Sequence, residues 1–311
     1  MMRRTPRAAA TSEQGFVLVA VLWILAALAG LATIFSIYLS NSARALAVSD
    51  AGLQAEALVS GSLELAAYQL ALAGDSARPM QGSFHYRMDR AEIFVAFVSE
   101  AARIDLNAAP KDLLAHLLSG LGAGPEDAAQ YADRIIGWRT PPKADSAEDE
   151  VSLYRAAGLA YSPRQAPFAH VNELALVFGL PPELVERALP FVTVFSGQPK
   201  INVLVAAPEV IAALPGMTPS GLKAFLKERP LLPTDMAAIA TALGPAQANA
   251  TIEKSDFYRI LTTVKFDNGR QTSSEAVIGL GGEEVPYRVL SWQDEVEPGR
   301  QPKAADVVDD L

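Results

Sequence analysis

An uncharged run near the N-terminus constrains this chain more than any other feature. Residues Phe16 to Leu39 read FVLVAVLWILAALAGLATIFSIYL and contain no Asp, Glu, Lys or Arg. At a rise of about 1.5 Å per residue, a helix of about 24 residues is ~36 Å long, which exceeds a bilayer core of about 30 Å. The run therefore predicts a membrane-spanning helix over residues 16–39.

The sequence on either side of this run indicates orientation and rules against a signal peptide. Arg3, Arg4 and Arg7 precede the run, with Glu13 as the only acid. Positive charge beside a spanning helix stays in the cytoplasm, so we expect a single-pass protein whose bulk lies outside. A secretory signal has a shorter apolar core. Here helix-favouring sequence with few breakers continues to Leu72, which predicts one long helix.

Composition limits the chemistry available to the rest of the chain. Its 311 residues include no Cys and three His, and the formal net charge is -9. The lack of Cys excludes disulfides and thiol nucleophiles. The acidic balance disfavours nucleic-acid binding unless a local basic patch exists. No phosphate-binding loop, zinc-protease motif or nucleophile elbow is found, so we expect a protein that is not an enzyme.

Two blocks of strand-favouring sequence flank a helical middle. Residues 83–100 predict an antiparallel hairpin, and residues 257–281 predict another around the Asp267-Asn268-Gly269 turn, followed by a strand at 286–293. The Ala/Leu-rich sequence between the blocks predicts helices. Because neither block alone makes a stable sheet, we predict one sheet with a helical insertion.

A weak internal repeat lies in the helical middle. RIDLNAAPKDLL from Arg103 and KINVLVAAPEVI from Lys200 share an Ile-polar start, an Ala-Ala-Pro turn and a following helix. Gly122 and Gly216 suit turns between helices. The pattern resembles the helix-hairpin-helix motif, whose hairpin N–H groups hold a phosphate. A membrane-tethered DNA-binding protein is therefore one alternative.

The N-terminus resembles the signal of type IV pilins and type II secretion pseudopilins. In that family a prepilin peptidase cuts before the apolar helix, and the new N-terminal residue is methylated. The resemblance places the cut between Gly15 and Phe16 and the methyl group on Phe16. Most pilins carry an assembly glutamate at the fifth mature position, where this chain has Ala20. A carboxylate in hydrocarbon needs a partner from a neighbouring subunit, so its absence suits a subunit at the filament tip.

The order of segments along the chain resembles the minor pseudopilin K family of the type II secretion system, also called general secretion pathway protein K. Further matches are RIDLN, the IIGW stretch ending at Trp138, the acidic loop SAEDE at 146–150 and APFAHVNEL at 166–174. The implied fold is α+β: a pilin-like long N-terminal helix packed on an antiparallel sheet, with a large inserted all-α domain containing two helix-hairpin-helix or SAM-like modules.

Segment boundaries follow from this resemblance. We expect a leader at 1–15, the spanning helix at 16–39, helix and first strands at 40–105, the insert at 106–250 with modules at about 106–198 and 199–250, the final strands at 251–296 and a disordered tail at 297–311.

The implied function is structural. A K-type minor pseudopilin forms or initiates the tip of a periplasmic pseudopilus for export of folded proteins across the outer membrane of Gram-negative bacteria. The expected partners are minor pseudopilins of the I and J types and then the H type, the major pseudopilin, prepilin peptidase, the inner-membrane secretion platform and the lipid bilayer, with no nucleic acid. A type IV pilus minor subunit is a second alternative.

The family resemblance also implies calcium binding at the acidic loop. Asp145, Glu148, Asp149 and Glu150 concentrate carboxylate oxygens, the ligands that hard cations prefer. Arg139 begins the stretch where family members are Asp-rich. A calcium site and a solvated acidic loop therefore remain alternatives.

Overall fold

The computed structural model describes residues 13–141, 150–281, 285–294 and 296. The predicted tail at 297–311, most of the leader and most of the acidic loop lie outside these residues. The chain divides into two compact units, residues 1–57 and 58–311. Their elements are given in chain order.

The helices are α1 (Glu13–Leu72), α2 (Gly74–Ala77), α3 (Lys111–Gly120), α4 (Pro125–Arg139), α5 (Glu150–Ala156), α6 (Pro182–Ala188), α7 (Pro208–Ala212), α8 (Pro219–Glu228) and α9 (Met236–Leu243). The strands are β1 (Gln81–Met88), β2 (Ala91–Ser99), β3 (Ile104–Asp105), β4 (Val192–Thr193), β5 (Ile201–Asn202), β6 (Ala250–Thr251), β7 (Phe257–Phe266), β8 (Gln271–Leu280) and β9 (Tyr287–Gln293).

Helix α1 confirms the predicted long N-terminal helix. It runs without interruption for 60 residues. Its stretch Val17–Ser42 is long and apolar enough, by length and composition, to cross a membrane.

The two strand blocks form one antiparallel sheet of five strands in the order β1-β2-β7-β8-β9. Both predicted hairpins are present, with Met88 opposite Ala91 in the first and Lys265 opposite Gln271 in the second. The chain leaves the sheet after Ser99 and returns to it at Phe257; the segment between them is mainly helical but, unlike the predicted all-α insert, also contains the short strands β3 to β6.

The end of α1 packs on this sheet. Leu63, Ala66 and Leu70 are buried, as the 3.6-residue period of an amphipathic helix requires. The Ser62 hydroxyl lies 2.8 Å from the Tyr86 hydroxyl on β1. The sheet therefore rests on the last four turns of the long helix.

The insert has one hydrophobic core, which contains residues such as Leu113, Trp138, Ile211 and Phe225 from both halves of the repeat. Each half begins with a two-residue strand that pairs in parallel with a two-residue strand near its end. These pairs are β3 with β4 and β5 with β6.

The turns after these opening strands have matching geometry. Asp105 Oδ1 accepts from Asn107 N–H at 2.7 Å, and Asn202 Oδ1 accepts from Leu204 N–H at 3.1 Å. A short polar side chain that bonds to the backbone two residues on is a turn-forming device. The polar residue that follows Ile in both halves of the repeat is therefore explained by the turn that its side chain forms.

A half-buried arginine closes each of these turns. In the first half, Arg139 donates from Nη1 to Leu106 O and from Nη2 to Ala109 O, the latter at 2.7 Å. Burial lowers the pKa of Arg139, and the charge of Asp105 opposes that shift.

In the second half, Arg229 has the same role. Its Nη1 donates to Ala206 O at 2.7 Å and lies 3.5 Å from Val203 O. Burial lowers its pKa as well. The internal sequence repeat predicted the two turns but did not reveal the arginines. The number of residues between the turn and its arginine differs between the two halves, so the arginines do not align in the repeat.

Removing the second arginine tests this arrangement. Arg229→Met keeps the aliphatic stem and leaves the buried Ala206 carbonyl without its guanidinium, so we expect a loss of about 1–3 kcal/mol in unfolding free energy. Lys227→Met on exposed surface of α8 is the control, with a change within about 0.5 kcal/mol. Denaturant titration of the detergent-solubilised chain measures both. Equal effects would contradict the role given to Arg229.

Candidate functional site

Three places on the chain are candidates: the N-terminal part of α1, the surroundings of the acidic loop, and the junction between sheet and insert. Gly15, Phe16 and Ala20 all lie in α1, whose helix begins at Glu13. Cleavage between Gly15 and Phe16 and methylation of Phe16 stay predictions.

The N-terminal part of α1 exposes apolar side chains around its whole circumference. Trp23, Ile34 and Tyr38 are 74%, 67% and 67% exposed, and the residues that the structure describes bury none of the most apolar stretch. Each large apolar side chain left in water costs about 1.5–3 kcal/mol relative to burial. The hydroxyl of Thr33, a polar group in this run, donates to Ala29 O at 2.8 Å and so is satisfied within the helix. The segment therefore has the length and the exposed apolar surface that fit a single-pass membrane anchor.

The acidic loop is only partly described. Asp145, Glu148 and Asp149 lie outside the described residues, and Glu150 is the first residue of α5. Glu150 Oε2 lies 3.1 Å from Arg134 Nη1 on α4, and both side chains are mostly buried.

The Glu150 carboxylate packs directly on the backbone of α4 at Gly137. Gly137 makes room for it because it has no side chain: a Cβ at this position would lie 2.8 Å from the Glu150 carboxyl carbon. Among the described residues, no group of three His, Cys, Asp or Glu could hold a metal ion. The calcium prediction therefore rests on Asp145, Glu148 and Asp149, with Glu150 engaged by a guanidinium.

The motifs on either side of the acidic loop meet in an aromatic cluster. Trp138 stacks on Phe168 with ring centroids 6.0 Å apart and contacts Tyr154 at 6.1 Å. Trp138 Nε1 donates to Glu173 Oε2 at 3.2 Å, which satisfies the indole N–H. The Tyr154 hydroxyl accepts from Phe178 N–H at 2.8 Å. The IIGW and APFAHVNEL segments are therefore bound to each other through packing.

The junction between sheet and insert contains a buried ionic cluster around Glu100. This residue follows β2 and is fully buried. Glu100 Oε1 accepts from Arg259 Nε at 2.8 Å, and Oε2 accepts from Arg259 Nη2 at 3.1 Å. Thr193 Oγ1, on β4 of the insert, also donates to Glu100 Oε2. One carboxylate thus binds a sheet strand and an insert strand together.

Two further charged groups complete the cluster. Arg259 Nη1 donates to Glu275 Oε1 on β8, and Arg103 Nη1 donates to the Pro190 carbonyl of the insert. Arg103 Nε lies 3.8 Å from Glu100 Oε1. With two carboxylates and two guanidiniums, the cluster is balanced in charge.

The pKa values reflect this balance. Burial raises the pKa of Glu100, but the charges of Arg259 and Arg103 and the hydrogen bonds from Arg259 and Thr193 together outweigh burial, and the net shift is downward. Burial and the nearby charge of Arg259 lower the pKa of Arg103 to about 10. Glu100 therefore stays ionised at neutral pH.

Sequence reasoning missed this cluster. Glu100 and Arg259 are 159 positions apart, and no spacing rule joins them. The available signal was local: Arg259 and Glu275 stand in predicted strands otherwise rich in apolar and hydroxyl side chains.

Comparisons with known proteins agree with the fold and the motifs. Residues 96–197 match the family model of type II secretion system protein K. Type II secretion system protein K of Klebsiella pneumoniae is 27% identical over 151 residues, which is 47% of this chain and 45% of that protein. The chain thus matches somewhat less than half the length of this curated relative.

A solved structure has the same fold. It is a chain in the crystal structure of the GspK-GspI-GspJ complex from the type 2 secretion system of enterotoxigenic Escherichia coli, with a TM-score of 0.60 and 17% identity. The match covers 79% of this chain and 98% of that chain. At this identity the likeness establishes an α+β fold with an N-terminal helix and an antiparallel sheet.

Glu150 separates the two interpretations of the acidic loop. If its carboxylate is structural, Glu150→Gln lowers the melting temperature equally in calcium and in EDTA, because the lost partner is Arg134. Arg155→Gln, on the exposed side of α5, is the control and leaves the melting temperature nearly unchanged. Thermal unfolding of the solubilised chain measures both. A loss seen only with calcium would make Glu150 a cation ligand.

Proposed function

We propose that this chain is a minor pseudopilin of the protein K family of the type II secretion system and that it forms or initiates the tip of a periplasmic pseudopilus. The observation that carries the proposal is the family match over residues 96–197 in a chain that also has an uncovered apolar N-terminal helix. The role is structural, so no residue is assigned a catalytic step.

The proposed location is the inner membrane, with a cytoplasmic N-terminus and a periplasmic sheet and insert. The exposed apolar side chains of α1 support membrane insertion. The three arginines before Phe16 support the orientation, because positive flanks stay in the cytoplasm. Prepilin peptidase would then cut between Gly15 and Phe16 on the cytoplasmic side.

Two features support a position at the tip. Ala20 takes the place of the assembly glutamate, so the chain needs no amine from a subunit above it. The insert has a hydrophobic core of its own, and this bulk suits the end of a narrow filament better than its interior.

The proposed role of the two repeat halves is a scaffold of helix-hairpin-helix character, with no nucleic acid bound. The turn before α4 contains Gly122 with a φ of 107°, and Glu126 and Asp127 follow in the first turn of that helix. Two acidic side chains at a helix N-terminus already use the positive end of the helix dipole and repel phosphate. The hairpin therefore favours packing over DNA binding.

A stripe on α1 is the proposed contact with partner pseudopilins of the I and J types. Leu65, Tyr68 and Leu72 are spaced along the face of α1 opposite the sheet and are 37%, 63% and 72% exposed. Apolar side chains at such spacing form one side of a helix–helix contact.

The small size of this stripe fits a membrane-anchored partner. Three side chains supply much less than the ~800 Å² per partner of a standard interface, so the stripe alone would bind weakly. Two chains anchored in one membrane meet at a raised effective concentration, which compensates for weak contact. We therefore expect the partner surface to be a helix of another anchored pseudopilin.

Charging the stripe tests the proposed function. Leu72→Glu places a carboxylate in the contact, and we expect at least a tenfold fall in recovery of this chain with the I- and J-type pseudopilins of the same organism. The same variant should fail to restore secretion in a strain that lacks protein K. Co-purification from membranes and secretion assays measure these effects.

The matched control is Leu231→Glu, since Leu231 in the insert is 87% exposed and lies far from α1 in sequence. It should assemble and secrete normally. Equal behaviour of the two variants would contradict the stripe as a contact surface, and normal secretion without this chain would contradict the proposed function.

A further inference from the structure

We propose that Glu100 is a positioning residue that fixes the orientation of the insert on the sheet. The geometric part of this inference concerns the isolated chain, and its consequence for assembly rests on the proposed function. The Glu100 cluster comprises Glu100, Arg103, Thr193, Arg259 and Glu275.

The cluster joins segments that are far apart in the chain. Glu100 and Arg103 stand where the chain leaves the sheet, Arg259 and Glu275 lie on β7 and β8, and Thr193 lies on β4 of the insert. Glu100 uses Oε1 for Arg259 and shares Oε2 between Arg259 and Thr193. Both carboxylate oxygens are thereby occupied, and each accepts in a defined direction.

The covalent links alone allow the insert to turn. It is attached through the short segments before β3 and after β6, and both segments meet at one place, where Ser255 N–H lies 3.4 Å from Ser99 Oγ. Two adjacent attachment points leave rotation about the line that joins them. Contacts away from that line are needed to prevent this rotation.

The Glu100 cluster adds contacts with the insert through Thr193 and Pro190, which lie far in sequence from both attachment segments. Arg103 donates to the Pro190 carbonyl, and Thr193 donates to Glu100. A second contact, from Asn202 Nδ2 to Met80 Sδ at 2.9 Å, joins the other half of the insert to the residue before β1. Apolar packing tolerates small rotations, whereas hydrogen bonds to a buried charge have a narrow range of distance and angle.

A role in orientation also explains why the charges are retained. Buried ion pairs are often no more stabilising than apolar side chains of the same volume, because desolvation offsets their attraction. A buried network that is fully satisfied can instead specify one arrangement. The Glu100 side chain is fully buried and the Arg259 side chain is 11% exposed, so the Glu100 cluster is a buried network that can specify one arrangement of the insert.

The consequence for assembly is geometric. If the insert turned on the sheet, surfaces of the insert and of α1 could not both meet one set of partner subunits. Fixing the orientation in advance removes that ordering cost from assembly.

Distances between spin labels test the inference. The chain has no cysteine, so Lys265→Cys on β7 and Lys223→Cys on α8 give two labelling sites at exposed positions. We expect one narrow distance distribution in the full-length chain. We expect a distribution at least twice as broad in Thr193→Val, which removes the insert's hydroxyl and keeps the Glu100–Arg259 pair.

Three variants complete the design. Thr193→Ser keeps the hydroxyl and should restore the narrow distribution, which a role in packing alone would not predict. Glu100→Gln should broaden it further. If Glu100→Gln does not fold, the comparison of the distance distributions of Thr193→Val and Thr193→Ser tests the positioning role without it. A label pair inside the insert, Glu183→Cys with Lys223→Cys, should stay narrow in every folded variant.

The outcomes separate the two levels of the inference. Narrow sheet-to-insert distances in Thr193→Val, as in the parent chain, would overturn the positioning role. Broad distances with a several-fold fall in co-purified I- and J-type pseudopilins are the expected result. Broad distances with full assembly would uphold the positioning role and contradict its importance for the proposed function.

Discussion

The architecture depends on an apolar segment that the described part of the chain does not bury. Helix α1 begins with a stretch whose large side chains are exposed on every side, and its last turns carry a buried stripe that packs on the sheet. One helix thus combines an exposed apolar stretch with a later stretch that a protein core buries. The sheet and the insert follow the later, amphipathic part of the helix.

The insert is built from two similar halves joined by one core. Each half opens with a short strand and an Asp or Asn turn, and each turn is closed by a half-buried arginine, Arg139 or Arg229. Arg139 stands where the family resemblance led us to expect an Asp-rich stretch, and its side chain instead donates to backbone carbonyls of the first turn.

Much of the fold follows from local sequence. The uncharged run predicted α1, the alternation of apolar residues predicted the strands of the sheet, and Asp267-Asn268-Gly269 predicted a hairpin, because these signals lie within a few residues of what they determine. The helical insertion followed from its position between the two strand blocks.

The Glu100 cluster could not be predicted in this way. Its members come from four separate segments, and each taken alone is an ordinary polar residue at the end of a strand or in a sheet. The same limit applies to Arg229, whose partners precede it by 23 and 26 positions. Side-chain bonds across such distances depend on the tertiary fold, which local patterns do not contain.

The central claim is that the apolar helix is that of a pseudopilin, and the mass of the mature protein tests it most directly. The chain would be expressed with and without a prepilin peptidase, purified from membranes and measured intact. The account predicts loss of Met1 to Gly15 and one added methyl group on Phe16, only when the peptidase is present. An unchanged N-terminus, or a cut after the apolar segment, would contradict it.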